Sequence, residues 1–319
     1  MDLHQDAHSS YGGTDLQCTD PKTSRVTVIP VPYDATTSYI SGTAKGPAAI
    51  LDASAHMELY DEELEQETCR IGIHTLEPLP VRDETPEAML RMVSEAVAQQ
   101  LLPDKLPVIV GGEHSISPGV VQALVRQYPR LSVLQLDAHA DLRDTYEGTP
   151  HSHACAGRRI SELCPLVQVG MRSLSREEAD FKRSSAVITI FDHEIKQGNK
   201  ALHDVLQHLT DDVYLTVDID VLDPAIMPAT GTPEPGRTIV GAEDVGRQPQ
   251  PLEPTDPTRV GVVDVPAAAV QDVVVVDELD VTGSQRHLDL VVGVVDQRVV
   301  RIHRLDLEVG EPWRVGMSL

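Results

Sequence analysis

Seven short apolar runs, none alternating strictly with polar positions, constrain this chain more than any other feature. They fall at residues 26–31, 71–76, 107–111, 131–136, 166–170, 187–190 and 213–219. A strand with one wet face reads apolar, polar, apolar; a run that stays apolar belongs to a strand buried on both faces, as in a parallel sheet covered by helices. The intervening segments supply such helices, at 86–101, 118–128, 153–163 and 199–209. Thr85 followed by Pro86 has the form of an N-cap with proline in the first turn. Strand–helix alternation with short connections predicts an α/β fold: one open, mostly parallel sheet flanked by helices. At 319 residues a single large domain can bury enough surface without a covalent staple.

Composition removes several function classes. A formal charge of −24 argues against nucleic acid or an anionic membrane as partner and is compatible with a small cationic substrate. The four cysteines, Cys18, Cys69, Cys155 and Cys164, form no CxxC pair, which points to a reducing compartment. The polar stretch over residues 1–24 lacks the basic start and apolar centre of a signal peptide, and no apolar run reaches the roughly 20 residues of a membrane span. A cytoplasmic protein without membrane contact is the expectation. Three sections follow: a polar N-terminal extension (1–24), an α/β core (25–236) and an atypical C-terminal segment (237–319).

That last segment departs from the rest. Sixteen valines lie between Val260 and Val300, the last lysine is Lys200, and Trp313 is the only aromatic residue after Tyr214. No amphipathic helix is legible after Gly236. The composition suggests a coding segment read out of frame or a strongly diverged tail; otherwise a strand such as 273–277 completes the sheet.

Chemistry gathers in three segments, each at the end of an expected strand: Gly111-Gly112-Glu113-His114-Ser115, Asp137-Ala138-His139-Ala140-Asp141, and Asp218-Ile219-Asp220-Val221-Leu222-Asp223-Pro224. In open parallel sheets, ligands bind outside the carboxyl ends of the strands, so distant loops can converge there. A lone aspartate at such a place is ordinarily a cap or turn residue, and a lone histidine a satisfied polar group. Together they read differently. Two like charges 4 Å apart cost about 4 kcal/mol at an effective dielectric near 20, and four carboxylates at one sheet edge call for cations. Asp218 and Asp220, two apart on an extended strand, would share one face about 6.5–7 Å apart. Asp137 and Asp141 would stand about 13 Å apart if fully extended, so the chain must curl for His139 and both carboxylates to act together.

These segments resemble the three signature motifs of the ureohydrolases, the arginase and agmatinase family, in the family's order. Two further stretches are similar: Pro32-Tyr33-Asp34-Ala35-Thr36-Thr37-Ser38-Tyr39 with Gly42 and Gly46-Pro47-Ala48-Ala49-Ile50, and Gly148-Thr149-Pro150-His151-Ser152-His153-Ala154-Cys155. The resemblance spans residues 26–236. It implies an arginase-like fold and two Mn²⁺ per chain. One would be held by His114, Asp137, Asp141 and Asp218, the other by Asp137, His139, Asp218 and Asp220, with Asp137 and Asp218 bridging. Mostly carboxylate oxygen with one imidazole per ion suits Mn²⁺. The implied reaction is hydrolysis of a guanidino compound to urea and an amine, with His153 carrying the proton the leaving amine requires. A small cationic guanidino substrate and a homo-oligomer, trimer or hexamer, are implied as partners.

Agmatine is the expected substrate, giving putrescine and urea. Arginases place a small polar residue two positions after the last ligand of the Asp-x-His-x-Asp motif, where this chain has Arg143. The segment Ala229-Thr230-Gly231-Thr232-Pro233-Glu234-Pro235-Gly236 is closer to agmatinase versions. Guanidinobutyrate and arginine-like substrates, and an impaired member of the family, stay open. The family's usual substrate-holding glutamate, in a Gly-x-Asp-x-x-Glu-x-x-Pro-like strand, has no counterpart at 260–266, so no substrate-binding residue is assigned. A metal-dependent deacetylase shares the fold class, but its usual single metal leaves six ligands unexplained.

Overall fold

The computed structural model describes residues 10–13, 19–61, 65–196 and 205–236, and the backbone of four later strands. The expected strands form: β1 (Val26–Val31), β2 (Ile73–Thr75), β3 (Leu106–Gly111), β4 (Leu131–Leu136), β5 (Leu166–Met171), β6 (Ile188–Phe191) and β7 (Asp212–Val217). All their pairings are parallel. β2-β1-β3 makes one sheet and β7-β4-β5-β6 the other, which β11 (Arg314–Ser318) extends beside β7. β11 also lies alongside β3, so the two sheets form one layer. Adjacent residues of the central strands face opposite cores. Val133, Leu166 and Tyr214 pack on one side, and Leu134, Val167 and Leu215 on the other. That two-sided burial is why these runs carry no alternation.

Helices α1 (Gly46–Ser54), α2 (Pro86–Gln100), α3 (Ser117–Gln127), α4 (Ala156–Ser161), α5 (Arg176–Ser184) and α6 (Asp192–Lys196) lie between the strands. Thr85 caps α2 through its side chain, accepting from Ala88 N–H, with Pro86 opening the helix. The expected helix at 153–163 is shorter: a 3-10 turn at His153–Cys155 leads into α4, which stops at Ser161. The helix at 199–209 falls mostly outside the described residues. Helix α5 was hidden by its composition, since only Ala179 and Phe181 interrupt its polar residues; its signal was the capping box of Ser175 and Glu178.

After Gly236, every described element is a strand. β8 (Val275–Leu279), β9 (Arg286–Val295) and β10 (Arg298–Leu307) form a separate antiparallel sheet. The alternative that 273–277 completes the main sheet is therefore corrected: β8 pairs with β9, and the last described strand, β11, joins the parallel layer. The candidate strand at 260–266 lies outside the described residues. Among the described residues no helix is long and apolar enough to cross a membrane.

Candidate metal centre

The three motifs leave the carboxyl ends of β4 and β7, which pair directly, and of β3, which lies across β11 from β7, and they meet at one edge. Glycine makes the first turn possible. A Cβ at Gly112 would stand 2.2 Å from the Tyr33 carbonyl oxygen, so the β3 exit can cross the N-terminal motif loop only without a side chain. The curl after β4 is present. Asp141 adopts φ 51°, a left-handed conformation rare for a residue with a side chain, and turns its carboxylate back toward His114. The third motif differs from expectation. β7 ends at Val217, and Asp218 is the N-cap of a 3-10 turn over Ile219–Val221, its carboxylate accepting from Asp220 N–H at 3.1 Å. Capping, rather than strand alternation, therefore orients Asp218 and Asp220.

Among the described residues, two groups of side chains could each hold a metal ion: His114 with Asp137 and Asp218, and Asp137 with His139 and Asp220, all ligand atoms within 4.8 Å in each. Asp137 belongs to both. His114 Nδ1 lies 3.1 Å from Asp137 Oδ2 and 2.9 Å from Asp141 Oδ2, which brings Asp141 to the first group. Asp218 belongs to the first group only. His139 Nδ1 lies 2.9 Å from Asp220 Oδ2. The four aspartates and His114 are buried.

The charges show strain that cations would relieve. Burial, then the neighbouring Asp220 and Asp141 charges, push Asp137 up to about 7 against the pull of His114. Burial works against a charged His139, yet Asp220, Asp137 and Asp141 outweigh it and raise His139 to about 10. Asp220 moves the other way: burial opposes its charge, and His139 overcomes that and holds it low. In the metal-free chain the cluster therefore draws a proton onto His139. Its oxygen-rich donors, with one imidazole per group and no thiolate, fit two hard or borderline divalent ions.

A second layer, which sequence reading did not find, aims these ligands. His114 Nε2 faces Thr216 Oγ1 at 3.2 Å, leaving Nδ1 toward the carboxylates, and Thr216 in turn meets Ser117 at 3.1 Å. Gln135 donates to Asp137 Oδ2 at 2.7 Å and is itself steadied by Gln168 at 2.9 Å. Thr216 and Gln135 each lie two residues before a ligand, near the carboxyl ends of β7 and β4, and that spacing was their one legible signal. Arg172 spreads its guanidinium over main-chain carbonyls of Asp220, Val221 and Glu234, joining the third motif to the loop at 231–236. Within that loop Thr232 donates to Asp220 Oδ2 at 3.2 Å.

Above the cluster lies a cavity of about 250 Å³ lined by His139, Asp141, Arg143, Tyr146, His153 and Asp220, among others. His153 is 8% exposed. Its Nδ1 is 3.3 Å from the hydroxyls of Thr36 and Ser152, and its Nε2 is 3.3 Å from Ser38 Oγ. Burial lowers its pKa, with Asp141 opposing, and favours the neutral ring. Arg143 is committed: Nε stands 3.9 Å from the buried carboxylate of Glu178, and the guanidinium lies 5.0 Å above the Tyr146 ring.

Known proteins share this arrangement's sequence and fold. The arginase family's sequence profile matches residues 24–239. The N(1)-aminopropylagmatine ureohydrolase of Synechocystis sp. is 40% identical over 219 residues, 66% of this chain and 72% of that protein. The agmatinase of Bacillus cereus is 35% identical over 217 residues, 67% of this chain and 73% of its own length. The crystal structure of the agmatine ureohydrolase of Thermoplasma volcanium superposes with a TM-score of 0.63 at 30% identity, covering 75% of this chain and 79% of that one. With the family profile spanning the whole described core and a relative at this identity, the chain belongs to the arginase family.

Proposed function

We propose that the chain hydrolyses agmatine to putrescine and urea with two Mn²⁺ held by His114, Asp137, His139, Asp141, Asp218 and Asp220. One observation carries the reading: six such ligands converge, with Asp137 common to both groups, beneath a cavity that His153 also lines. Metal ions there supply an acidified water at neutral pH, which a guanidinium, a poor electrophile, requires. His153 is the proton carrier. Neutral because it is buried, it takes a proton at Nε2, the nitrogen that faces Ser38, and passes it to the departing amine. A carbon–oxygen bond forms first and the carbon–nitrogen bond to the departing amine then breaks; both protons of the attacking water end on that nitrogen, one of them by way of His153, and the products are urea and the protonated amine.

Arg143 supports a substrate without a carboxylate. It is the only lysine or arginine lining the described cavity, and Glu178 and Tyr146 already engage it. An arginine or guanidinobutyrate carboxylate would enter without a free cation. A longer substrate, agmatine extended by an aminopropyl arm, is a second reading. A neighbouring cavity of about 370 Å³, lined by Thr36, Glu87, Tyr146 and Glu147, shares the Tyr146 wall and offers carboxylates to a distal ammonium. An impaired enzyme is the third reading, because the family match stops at residue 239, well short of Leu319. The reading takes residues 25–236 as the functional core and residues 237–319 as a separate segment. It also includes a cytoplasmic homo-oligomer, trimer or hexamer.

Urea release by the full chain in Mn²⁺, with agmatine, aminopropylagmatine, arginine and guanidinobutyrate, tests the proposal. Agmatine is expected to exceed arginine by at least about 100-fold in kcat/KM, the scale on which an unmatched polar group is rejected. Urea from none of the four, with the metals bound, would favour the impaired reading; acetate release from an acetylated amine would replace the reaction altogether.

A further inference from the structure

The N-terminal motif loop reaches His153 through Thr36, whose hydroxyl stands between Glu113 and His153. Glu113 is fully buried, and its carboxylate receives three donors: Thr36 N–H at 2.9 Å, Thr36 Oγ1 at 2.6 Å, and Ser115 Oγ. That donor set makes it an acceptor. A hydroxyl has one proton to give, and the short contact commits Thr36's to Glu113. Toward His153, Thr36 Oγ1 can then only accept. It does so from the His153 main-chain N–H at 3.0 Å, and it lies 3.3 Å from Nδ1.

We propose that Thr36, held by Glu113, fixes the resting tautomer of His153, with the proton on Nδ1 and a bare Nε2 toward the cavity. Ser152 Oγ, also 3.3 Å from Nδ1, can share that proton, and Ser38 Oγ, 3.3 Å from Nε2, can donate to the lone pair. The opposite tautomer would set Nδ1's lone pair against a Thr36 oxygen that has no proton left to offer. Thr36 and Glu113 are thus positioning residues. Their role rests on the reading of His153 as the proton carrier, because a carrier must present its basic nitrogen to the reacting groups. Glu113 has a plain structural use as well, fastening the loop through Thr36 N–H, so a useful test removes the hydroxyl and spares that bond.

Thr36→Val does so at nearly constant shape, and Thr36→Ser retains the hydroxyl. Long-range proton–nitrogen correlation spectra of the metal-free full chain, labelled with ¹⁵N-histidine at about pH 8, report each tautomer directly. The His153 signal is identified by its disappearance in His153→Gln. Wild type and Thr36→Ser are expected to show the Nδ1–H pattern, and Thr36→Val a shift toward Nε2–H. With Mn²⁺ and agmatine, Thr36→Val should lose about tenfold in kcat with KM within about twofold, a modest part of the general acid–base range. An Nε2–H pattern in the wild type, or an unchanged tautomer in Thr36→Val, overturns the proposal. Full kcat in His153→Gln would instead remove the carrier role, while the tautomer result stands or falls separately.

Discussion

Replacing Arg172 by alanine should damage the metal centre without touching a ligand. Its guanidinium donates to Asp220 O at 2.6 Å, Glu234 O at 2.8 Å and Val221 O at 3.0 Å, and the loop wraps it so closely that a Cβ on Gly236 would stand 2.3 Å from Arg172 Cδ. Hydrogen bonds from a charged donor each contribute about 1.5–3 kcal/mol net. Water can reach part of this half-buried group, so the low end applies, and three bonds give a loss of about 4.5 kcal/mol. If half of that is felt as loosening of the Asp220 turn and of Thr232, which supports Asp220, affinity for the ion at His139 and Asp220 falls by one to two decades, at about 1.4 kcal/mol per decade. The His114 group, with three of its four ligands (His114, Asp137 and Asp141) after β3 and β4 and only Asp218 from the third motif, keeps its ion. Arg172→Lys retains the charge but not the planar fork and should recover only part of the loss. Manganese titration followed by electron paramagnetic resonance, with denaturant unfolding in parallel, reads both effects. An Arg172→Ala chain with two wild-type affinities and an unchanged unfolding midpoint would refute the reasoning.

Three further outcomes are expected. His153→Ala should keep both metals and lower kcat by roughly 10²–10⁴, with added imidazole restoring part of the rate; near-full kcat would move the role elsewhere, with His151 the next histidine in the loop. Metal affinity should rise with pH, because the ion must displace protons that the cluster holds on His139 up to about 10 and on Asp137 up to about 7. The slope is about tenfold per unit between pH 7 and 10 and steeper below 7; calorimetry in buffers of different ionisation enthalpy counts the protons, and a flat profile with no release contradicts the electrostatics. Gly170→Ala should destabilise the fold by about 1–3 kcal/mol and weaken metal retention, since at φ 95° its Cβ would meet Val221 Cγ2 at 2.7 Å and the Asp137 carbonyl at 3.1 Å. An unshifted melting temperature would count against that packing.

The parallel layer was legible because strands buried on both faces leave uninterrupted apolar runs, and the run at 131–136 appears as β4 with the same bounds. The ligands were legible because carboxylate and imidazole at two-residue spacing have few other uses at a strand end. Orientation was not. Asp218 looked like a strand residue, and only the capping bond to Asp220 N–H shows that the chain turns there. Arg172 braces the third motif from 48 residues away, and Gln135 is steadied by Gln168, 33 residues on, contacts that no local pattern encodes. Helix α5 escaped for the opposite reason, having almost no apolar face for periodicity to report. The valine-rich segment offered no helical period, and its expected strand at 260–266 lies outside the described residues; the question of its reading frame belongs to the nucleotide sequence.

Metal stoichiometry tests the central claim most directly. Elemental analysis of the full chain, loaded with Mn²⁺ and freed of excess, should find close to two ions per chain. Asp220→Ala should retain close to one, because His114, Asp137, Asp141 and Asp218 remain, whereas Asp137→Ala removes the carboxylate common to both groups and should hold neither firmly. A single tightly bound ion in the wild type, unaffected by Asp220→Ala, would contradict the two-metal centre and the reaction built on it.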